Sequence, residues 1–242
     1  MGGVSSSNIS GVVPERSGLF VKHPYNGLVT MWIFRSNFGA IPERFRPFWR
    51  EVKALNGADW RRRVFGAGKH RYRSYPISLS TMEKFEKWCG VSMPPGYREY
   101  MLTIGYGMGP YYGLWSPAQI REELEMLLND WEDGEKPNPA KTFPYTMADA
   151  QAILARKAAK EKEPWGVSTW PIDGCIPICH QGCMYYSVLA LTGECAGRVW
   201  DIDETGLWFP SHPPSGAVSP PTFEEWLMGW IESARGDLQR RE

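Results

Sequence analysis

Apolar residues recur at helical spacing in several parts of the chain. One short run places apolar side chains at i, i+3, i+4 and i+7: Tyr97, Tyr100, Met101 and Ile104. This spacing predicts a helix with one buried face. A Pro-Pro pair precedes the run and Gly105 follows it, the residue types that favour the start and the end of a helix. We expect Tyr97, Tyr100 and Met101 to lie in the core.

The same periodicity predicts five further helices. They begin at Pro42, Ser80, Ser116, Met147 and Thr222. The first ends just before Gly57, and Ser80, Ser116 and Thr222 are predicted N-caps with Glu or Gln three residues later. The last helix has the cleanest apolar face: Phe223, Trp226, Leu227, Trp230 and Ile231. The helix over residues 147–162 has a thin apolar face, which predicts a surface position.

Beyond Trp165 the hydrophobic pattern changes to a period of two, which is typical of strands. Four strands are predicted, at residues 175–179, 183–191, 197–201 and 207–210. Residues 180–182, 192–194 and 204–206 are the turns expected between them. Near the start of the chain, residues 18–35 predict a hairpin around Asn26-Gly27. Residues 1–16 are expected to be a disordered leader.

Charge is distributed unevenly, although the formal net charge is +0. Residues 1–75 contain 13 Lys and Arg against 4 Asp and Glu, a net charge of 13 − 4 = +9, and the remainder carries the opposite excess, 23 acidic against 14 basic. Residues 60–75 interleave arginine with aromatic residues, a composition that can bind nucleic acid or an acidic protein surface. The interpretation that we favour is a solvated strand pair that neutralises the acidic body of this chain, so nucleic acid is not the partner we expect.

Cysteine spacing raises the question of a metal or catalytic site. Cys175, Cys179 and Cys183 are four residues apart, and His180 lies among them. A second zinc-type pair is missing, so we expect buried thiols in a reducing compartment and neither a metal site nor a cofactor. A Cys–His set completed by Asp201 or Asp203 is the catalytic alternative. Without a nucleophile elbow, phosphate loop or H-E-x-x-H motif, we predict no enzyme and no catalytic residue.

Membrane insertion is not predicted. No apolar run approaches the roughly 18 residues of a transmembrane helix. The N-terminus lacks the basic and apolar regions of a signal peptide, and its loose match to a Gly2 acylation pattern fits a flexible polar leader as well. These features predict a cytoplasmic protein.

Three separated blocks of sequence resemble the SUKH superfamily. The first, residues 88–102, reads W-C-G-V-S-M-P-P-G-Y-R-E-Y-M-L and leads into a glycine-rich turn, residues 105–115, with Tyr100 where the family usually has Phe. The second, residues 182–200, reads G-C-M-Y-Y-S-V-L-A-L-T-G-E-C-A-G-R-V-W. A D…G-hydrophobic-x-P strand and the helix with Trp226 and Trp230 follow in the family order. The resemblance covers roughly residues 78–234.

This resemblance implies an α+β fold, with a curved, mostly antiparallel sheet and helices packed on one side. We therefore expect three parts: a disordered leader at residues 1–16, a basic extension with a hairpin and a helix at residues 17–75, and a SUKH-like domain at residues 76–242.

The resemblance also implies a binding protein. Bacterial proteins of this kind are mostly immunity proteins, which bind a cognate toxin, often a nuclease, and block it. An acidic body suits such a role because it steers association with a basic cleft. The predicted contact surface combines aromatic and acidic residues near strand ends with the glycine-rich turn: Tyr111, Tyr112, Tyr185, Trp200, Asp201, Asp203, Glu204 and Trp208. The alternative is a non-catalytic regulatory scaffold, as in the yeast relatives.

Overall fold

Helices precede and follow a small sheet in this chain. The structure, a computed structural model, describes residues 41–129, 137–162, 173–211 and 219–240, and for residues 127–129 only the backbone. After a 3₁₀ turn at Glu43–Phe45, the helices are α1 (Arg46–Ala58), α2 (Ala67–His70), α3 (Leu79–Cys89), α4 (Pro95–Thr103), α5 (Pro117–Asn129), α6 (Met147–Ala158) and α7 (Phe223–Gln239). The strands are β1 (Cys175–Gly182), β2 (Tyr185–Ala190), β3 (Val199–Ile202) and β4 (Trp208–Pro210). The predicted leader and hairpin lie outside the described residues.

The four strands form one antiparallel sheet in the order β1-β2-β3-β4. The strand order follows the chain, so each connection is a local turn or loop and the sheet is an open meander. β1 lies at an edge, where the missing N–H of Pro177 is tolerated. Two register shifts interrupt its pairing with β2, between Pro177 and Cys179 and between His180 and Gly182. Such bulges bend a strand, and the arrangement confirms the predicted α+β fold with an antiparallel sheet.

Alternation along the strands divides the apolar residues between two cores. Leu189 and Val199 lie on one face, in the larger core with apolar residues of α1–α5 and α7. Val188 and Trp200 point to the opposite face, in a smaller core with Ala150 and Ile153 of α6. The predicted core positions Tyr97, Tyr100 and Met101 are buried in the larger core, which confirms them. Most helices therefore pack on one face, and α6 covers the other.

Two of the predicted helix caps are confirmed and one is wrong. Ser116 and Gln119 cap α5 reciprocally, and Thr222 and Glu225 do the same at α7. At α3 the N-cap is Ser78 instead of Ser80, and its hydroxyl oxygen accepts a hydrogen bond from the Thr81 N–H (3.1 Å). The N–H of Ile77, just before this cap, donates a hydrogen bond to the carbonyl of Met101 in α4. Because this bond fixes the chain at residue 77, the helix can begin earlier than predicted. Gly57, predicted just beyond the first helix, lies within the last turn of α1.

The basic segment, residues 60–75, is not the strand pair that the sequence predicted. It forms turns and the single-turn helix α2 around the buried carboxylate of Asp59. That carboxylate accepts hydrogen bonds from the N–H groups of Arg63 (2.5 Å) and Val64 (3.3 Å) and from the hydroxyl of Tyr72 (2.8 Å). Three donors on one buried carboxylate compensate its desolvation and fold the segment into a loop.

The described part of the basic extension packs into the larger core. The rings of Phe45 and Phe48 lie 5.3 Å and 5.8 Å from the ring of Tyr100, edge to face. The described residues belong to one compact unit. The boundary at residues 75 and 76 stays a prediction.

Glycines allow the basic segment to touch the glycine-rich turn backbone to backbone. Tyr75 and Tyr106 form an antiparallel bridge with N–H to carbonyl distances of 2.9 Å and 3.2 Å. Gly105 has φ +92°, and a Cβ there would lie 2.0 Å from the carbonyl oxygen of Tyr75. A Cβ on Gly66 (φ +79°) would lie 1.5 Å from the carbonyl oxygen of Tyr111. Only glycine fits these two positions.

The Gly105 contact predicts a large stability effect from a small substitution. Gly105→Ala should lower the free energy of unfolding by about 3 kcal/mol, because it adds backbone strain to a backbone clash. Gly57→Ala is the matched control, since nothing lies within 4 Å of its Cβ position in α1, and it should raise stability by up to about 1 kcal/mol. Urea denaturation measures both. Equal effects of the two substitutions would contradict the proposed close approach.

Candidate partner-binding site

The β1–β2 turn and the β3–β4 turn lie at the same end of the sheet. Gly182 pairs with Tyr185 across the first turn, and Ile202 pairs with Trp208 across the second. Because Tyr186 of β2 pairs with Ile202 of β3, the two turns are neighbours. The glycine-rich turn is also close, since a Cβ on Gly182 would lie 3.6 Å from Cε2 of Tyr112. Three loops thus meet at one end of the sheet.

The tip of the β1–β2 hairpin is strained and exposed. Its two loop residues, Cys183 and Met184, have φ angles of 45° and 62°, the left-handed conformation of a type I′ turn. A residue other than glycine pays roughly 1 kcal/mol or more in this conformation. Met184 is 67% exposed. The predicted turn at residues 180–182 is wrong, since β1 continues through Gly182 and the chain reverses one step later.

Asp203 holds the β3–β4 turn together. One oxygen of its carboxylate accepts hydrogen bonds from the N–H of Thr205 (2.9 Å), the hydroxyl of Thr205 (2.7 Å) and the N–H of Leu207 (3.0 Å). Its neighbour Glu204 is exposed. Asp203 therefore mainly stabilises the turn. Glu204 is the carboxylate at this turn that is freer to contact a partner.

Three residues of the predicted contact surface are buried, so their assignment to a contact surface is wrong. Trp200 and Trp208 are 0% exposed, and Asp201 is 2% exposed. The tryptophans point to the sheet face covered by α6, where Tyr145 stacks on Trp200 at 5.0 Å between ring centroids. Asp201 points to the opposite face. The prediction failed because alternation assigns residues to a face and does not show whether that face is covered.

Asp201 is the centre of a buried polar cluster. Its Oδ1 accepts hydrogen bonds from the hydroxyl of Ser187 (2.8 Å) and the amide of Gln181 (2.8 Å). Burial raises the pKa of this carboxyl to about 6, and the bonds from Ser187, Ser211 and Gln181 oppose that rise only in part. The cluster joins β1, β2 and β3 just behind the turns.

The glycine-rich turn contributes a row of aromatic rings. Tyr111 and Tyr112 are half-buried, and the ring of Tyr112 lies 5.2 Å from Phe65 and 6.2 Å from His180. His180 in turn stacks on Trp115 at 6.4 Å. Phe65 is 52% exposed, so the row begins at the surface. The sequence did not indicate Phe65 or Met184 as site residues, although Phe65 precedes a turn-forming glycine.

The hydrogen bonds of Cys179 and His180 are not those of the catalytic set that the cysteine spacing suggested. The Cys179 thiol donates to the Pro110 carbonyl (3.1 Å), and burial raises its pKa, which disfavours the nucleophilic thiolate. Nδ1 of His180 accepts the Gly182 N–H (3.2 Å). Across the described ranges, no three His, Cys, Asp or Glu side chains come together as metal ligands. Within those same ranges, no helix is both long and apolar enough to cross a membrane.

The raised pKa of Asp201 predicts a pH-dependent stability. Since the folded pKa of about 6 exceeds the ordinary value of 3.8, the folded state holds this proton more tightly than the unfolded chain. The resulting stability is complete below about pH 4 and is lost as the pH rises through 6, by roughly 3 kcal/mol. Asp201→Asn stays neutral and should remove this loss, so its stability relative to wild type should rise between pH 4 and pH 7.

Urea denaturation across this pH range gives the comparison. Glu204→Gln is the control, because it removes a carboxylate that is exposed at the surface, and its stability should run parallel to wild type. If the difference in free energy of unfolding between Asp201→Asn and wild type stayed constant with pH, Asp201 would have an ordinary pKa in the folded state.

Comparison with known proteins places this arrangement in a family. No curated protein matches the chain significantly. The SMI1/KNR4 family (SUKH-1) matches residues 76–229, more than half of the 242 residues. The matched range contains the glycine-rich turn, all four strands and both turns of the sheet end. The chain therefore belongs to the SMI1/KNR4 family (SUKH-1).

Proposed function

We propose that this protein is an immunity protein, which binds a cognate bacterial toxin directly and blocks it. The contact is made by the sheet-end surface, defined here as Tyr111, Tyr112, Met184, Tyr185, Asp203 and Glu204. Family membership supports a binding role of this kind. The main support for placing the contact at this surface is the hairpin tip, where a strained backbone exposes Met184 to solvent.

A strained, exposed apolar tip is costly for a protein that acts alone. Left-handed backbone at Cys183 and Met184 destabilises the fold, and the exposed thioether gains nothing in water. Such strain is typical of functional sites, and a flexible methionine adapts well to a partner surface. Half-buried tyrosines beside it supply rigid anchors with a polar end. The sheet-end surface therefore has the composition of an interface centre.

Blocking by contact requires no catalysis by this chain, and we propose a non-catalytic role. The compartment we propose is the cytoplasm of the producing cell, where a toxin threatens its own producer. Free thiols at all five cysteines are compatible with that reducing compartment. Four of them are buried, so they serve as small core residues.

Capture of the partner tests the function. The tagged protein, purified from its native host, should retain one dominant chain. That chain, expressed alone, should be toxic, and co-expression of this protein should restore growth. A captured chain without toxicity, or toxicity that co-expression leaves unchanged, would refute the immunity function and favour the regulatory scaffold.

Met184→Gly separates stability from binding. Glycine accepts the left-handed conformation, so the variant should unfold at equal or higher urea concentration, with a gain of up to about 1 kcal/mol. Loss of the thioether that the partner would bury should weaken binding to the captured partner by about 2 kcal/mol, roughly thirtyfold in Kd. Calorimetric titration measures the affinity.

Met126→Gly is the matched control for this substitution. Met126 is 51% exposed within α5, so the same change should lower stability by about 1 kcal/mol and leave the affinity unaltered. A Met184→Gly variant that binds as tightly as wild type would remove the hairpin tip from the interface.

A further inference from the structure

A cleft with basic and aromatic walls lies between the basic segment and the glycine-rich turn. Its volume is about 460 Å³, within the range of ligand-binding pockets. One wall is formed by residues 68–75, and the other by residues 106–115 with Gln119. The contact of Gly105 with Tyr75 and the bridge from Tyr75 to Tyr106 fix the distance between the walls.

The cleft carries uncompensated positive charge. Lys69, Arg71 and Arg73 line it, and none of the residues that line it is acidic. Within the described ranges, these three cations form no ion pair. His70 adds no charge at neutral pH, because burial lowers its pKa to about 4. Three unpaired cations around one cavity favour an anionic ligand.

The aromatic rings of the walls make contacts within the chain. Tyr112 has the Lys69 ammonium 4.9 Å from its ring centroid and His180 stacked on it. Tyr75 and Tyr106 lie against each other, with ring centroids 5.5 Å apart. Binding of single-stranded nucleic acid relies on open ring faces for base stacking. Tyr75 keeps 49% of its surface exposed, but each of these three rings already has a neighbour within the chain, so the three cations are the dominant feature of the cleft and, with the tyrosine hydroxyls, favour carboxylates over nucleobases.

The cleft is continuous with the sheet-end surface. Tyr112 lines the cleft and also lies next to Gly182 at the hairpin. A protein seated on the sheet end can therefore extend a segment into the cleft without leaving the surface.

We propose that the cleft binds an acidic peptide segment of the protein partner, with Lys69, Arg71 and Arg73 contacting its carboxylates. This inference rests on the proposed function, because it names the chemistry of that partner. The sequence led us to expect an acidic surface of this protein against a basic cleft of the toxin. On this side of the molecule the charges are reversed, and a basic cleft receives an acidic segment of the toxin.

A direct binding measurement tests the cleft without the toxin. A fluorescein-labelled peptide of alternating glutamate and glycine should bind the full-length protein at low salt, and added salt should weaken the binding. In the triple variant Lys69→Gln, Arg71→Gln, Arg73→Gln, binding should weaken about tenfold or more. A control variant neutralises three exposed cations elsewhere that have no described ion pair, Arg46, Lys84 and Lys87, and it should bind like wild type.

In this peptide measurement, three results would overturn the inference. They are absence of peptide binding by the wild-type protein, equal binding by the cleft variant, and tighter binding of a labelled oligothymidylate than of the glutamate peptide. The last result would make the cleft a nucleic-acid site.

Gly68 allows a test in the toxin complex with one added charge. Nothing lies within 4 Å of a Cβ at Gly68, on the wall of the cleft, so a side chain can be added there without a clash at its Cβ. Gly68→Glu should weaken binding to the captured partner about tenfold, whereas Gly68→Gln, of the same size, should bind within about threefold of wild type. Equal effects of the two variants would show a steric effect alone and refute the charge argument.

The two proposals fail separately. Peptide binding without toxin capture leaves the cleft standing and refutes the immunity function. Neutralisation that is unchanged in the triple variant and in Gly68→Glu leaves the function standing and refutes the cleft.

Discussion

Close approach of two backbones at glycine is the constraint on which the candidate site depends. Gly105 and Gly66 bring the basic segment into contact with the glycine-rich turn at distances that no Cβ would permit. This contact fixes Tyr111 and Tyr112 beside the hairpin and fixes the width of the basic cleft. The family match begins at residue 76, so one side of the contact lies outside it. The segment before the family domain therefore completes the site.

Coverage of both sheet faces decides which residues can meet a partner. The larger core occupies one face, and α6 with Phe143 and Tyr145 occupies the other. Both faces are covered in the described part of the chain, so a partner of the sheet must meet it at loops, and the exposed residues Cys183, Met184 and Glu204 lie in the two turns of the sheet end. Mutations of Trp200, Trp208 or Asp201 would therefore act through stability, and their effects on binding would be indirect.

Sequence patterns predicted most helices and strands. They failed where the burial of a side chain depends on a distant element, and where a turn depends on an unusual backbone conformation. The buried face of α4 follows from local periodicity, and the capping boxes of α5 and α7 from a few neighbouring residues. The burial of Trp200 depends on α6, which lies some 40 residues earlier in the chain. The hairpin tip was missed because Cys183 and Met184 adopt a conformation that normally signals glycine or asparagine. The predicted strand pair in the basic segment was wrong, because hydrogen bonds to a single buried carboxylate, that of Asp59, fold this segment into a loop.

Charge and apolar surface have different roles at this site. An apolar tip such as Met184 contributes affinity once water is excluded, and its effect falls mainly on dissociation. Unpaired cations act at longer range, so they orient a partner and accelerate association in a salt-dependent way. The chain separates these features in space, with the apolar tip at the sheet end and the cations in the cleft, and Tyr112 lies between Gly182 of the hairpin and Lys69 of the cleft. Under the two proposals, a partner has to offer an apolar pocket for Met184 and an acidic segment for the cleft at a fixed spacing. Such a double requirement would give specificity for one partner without a large interface.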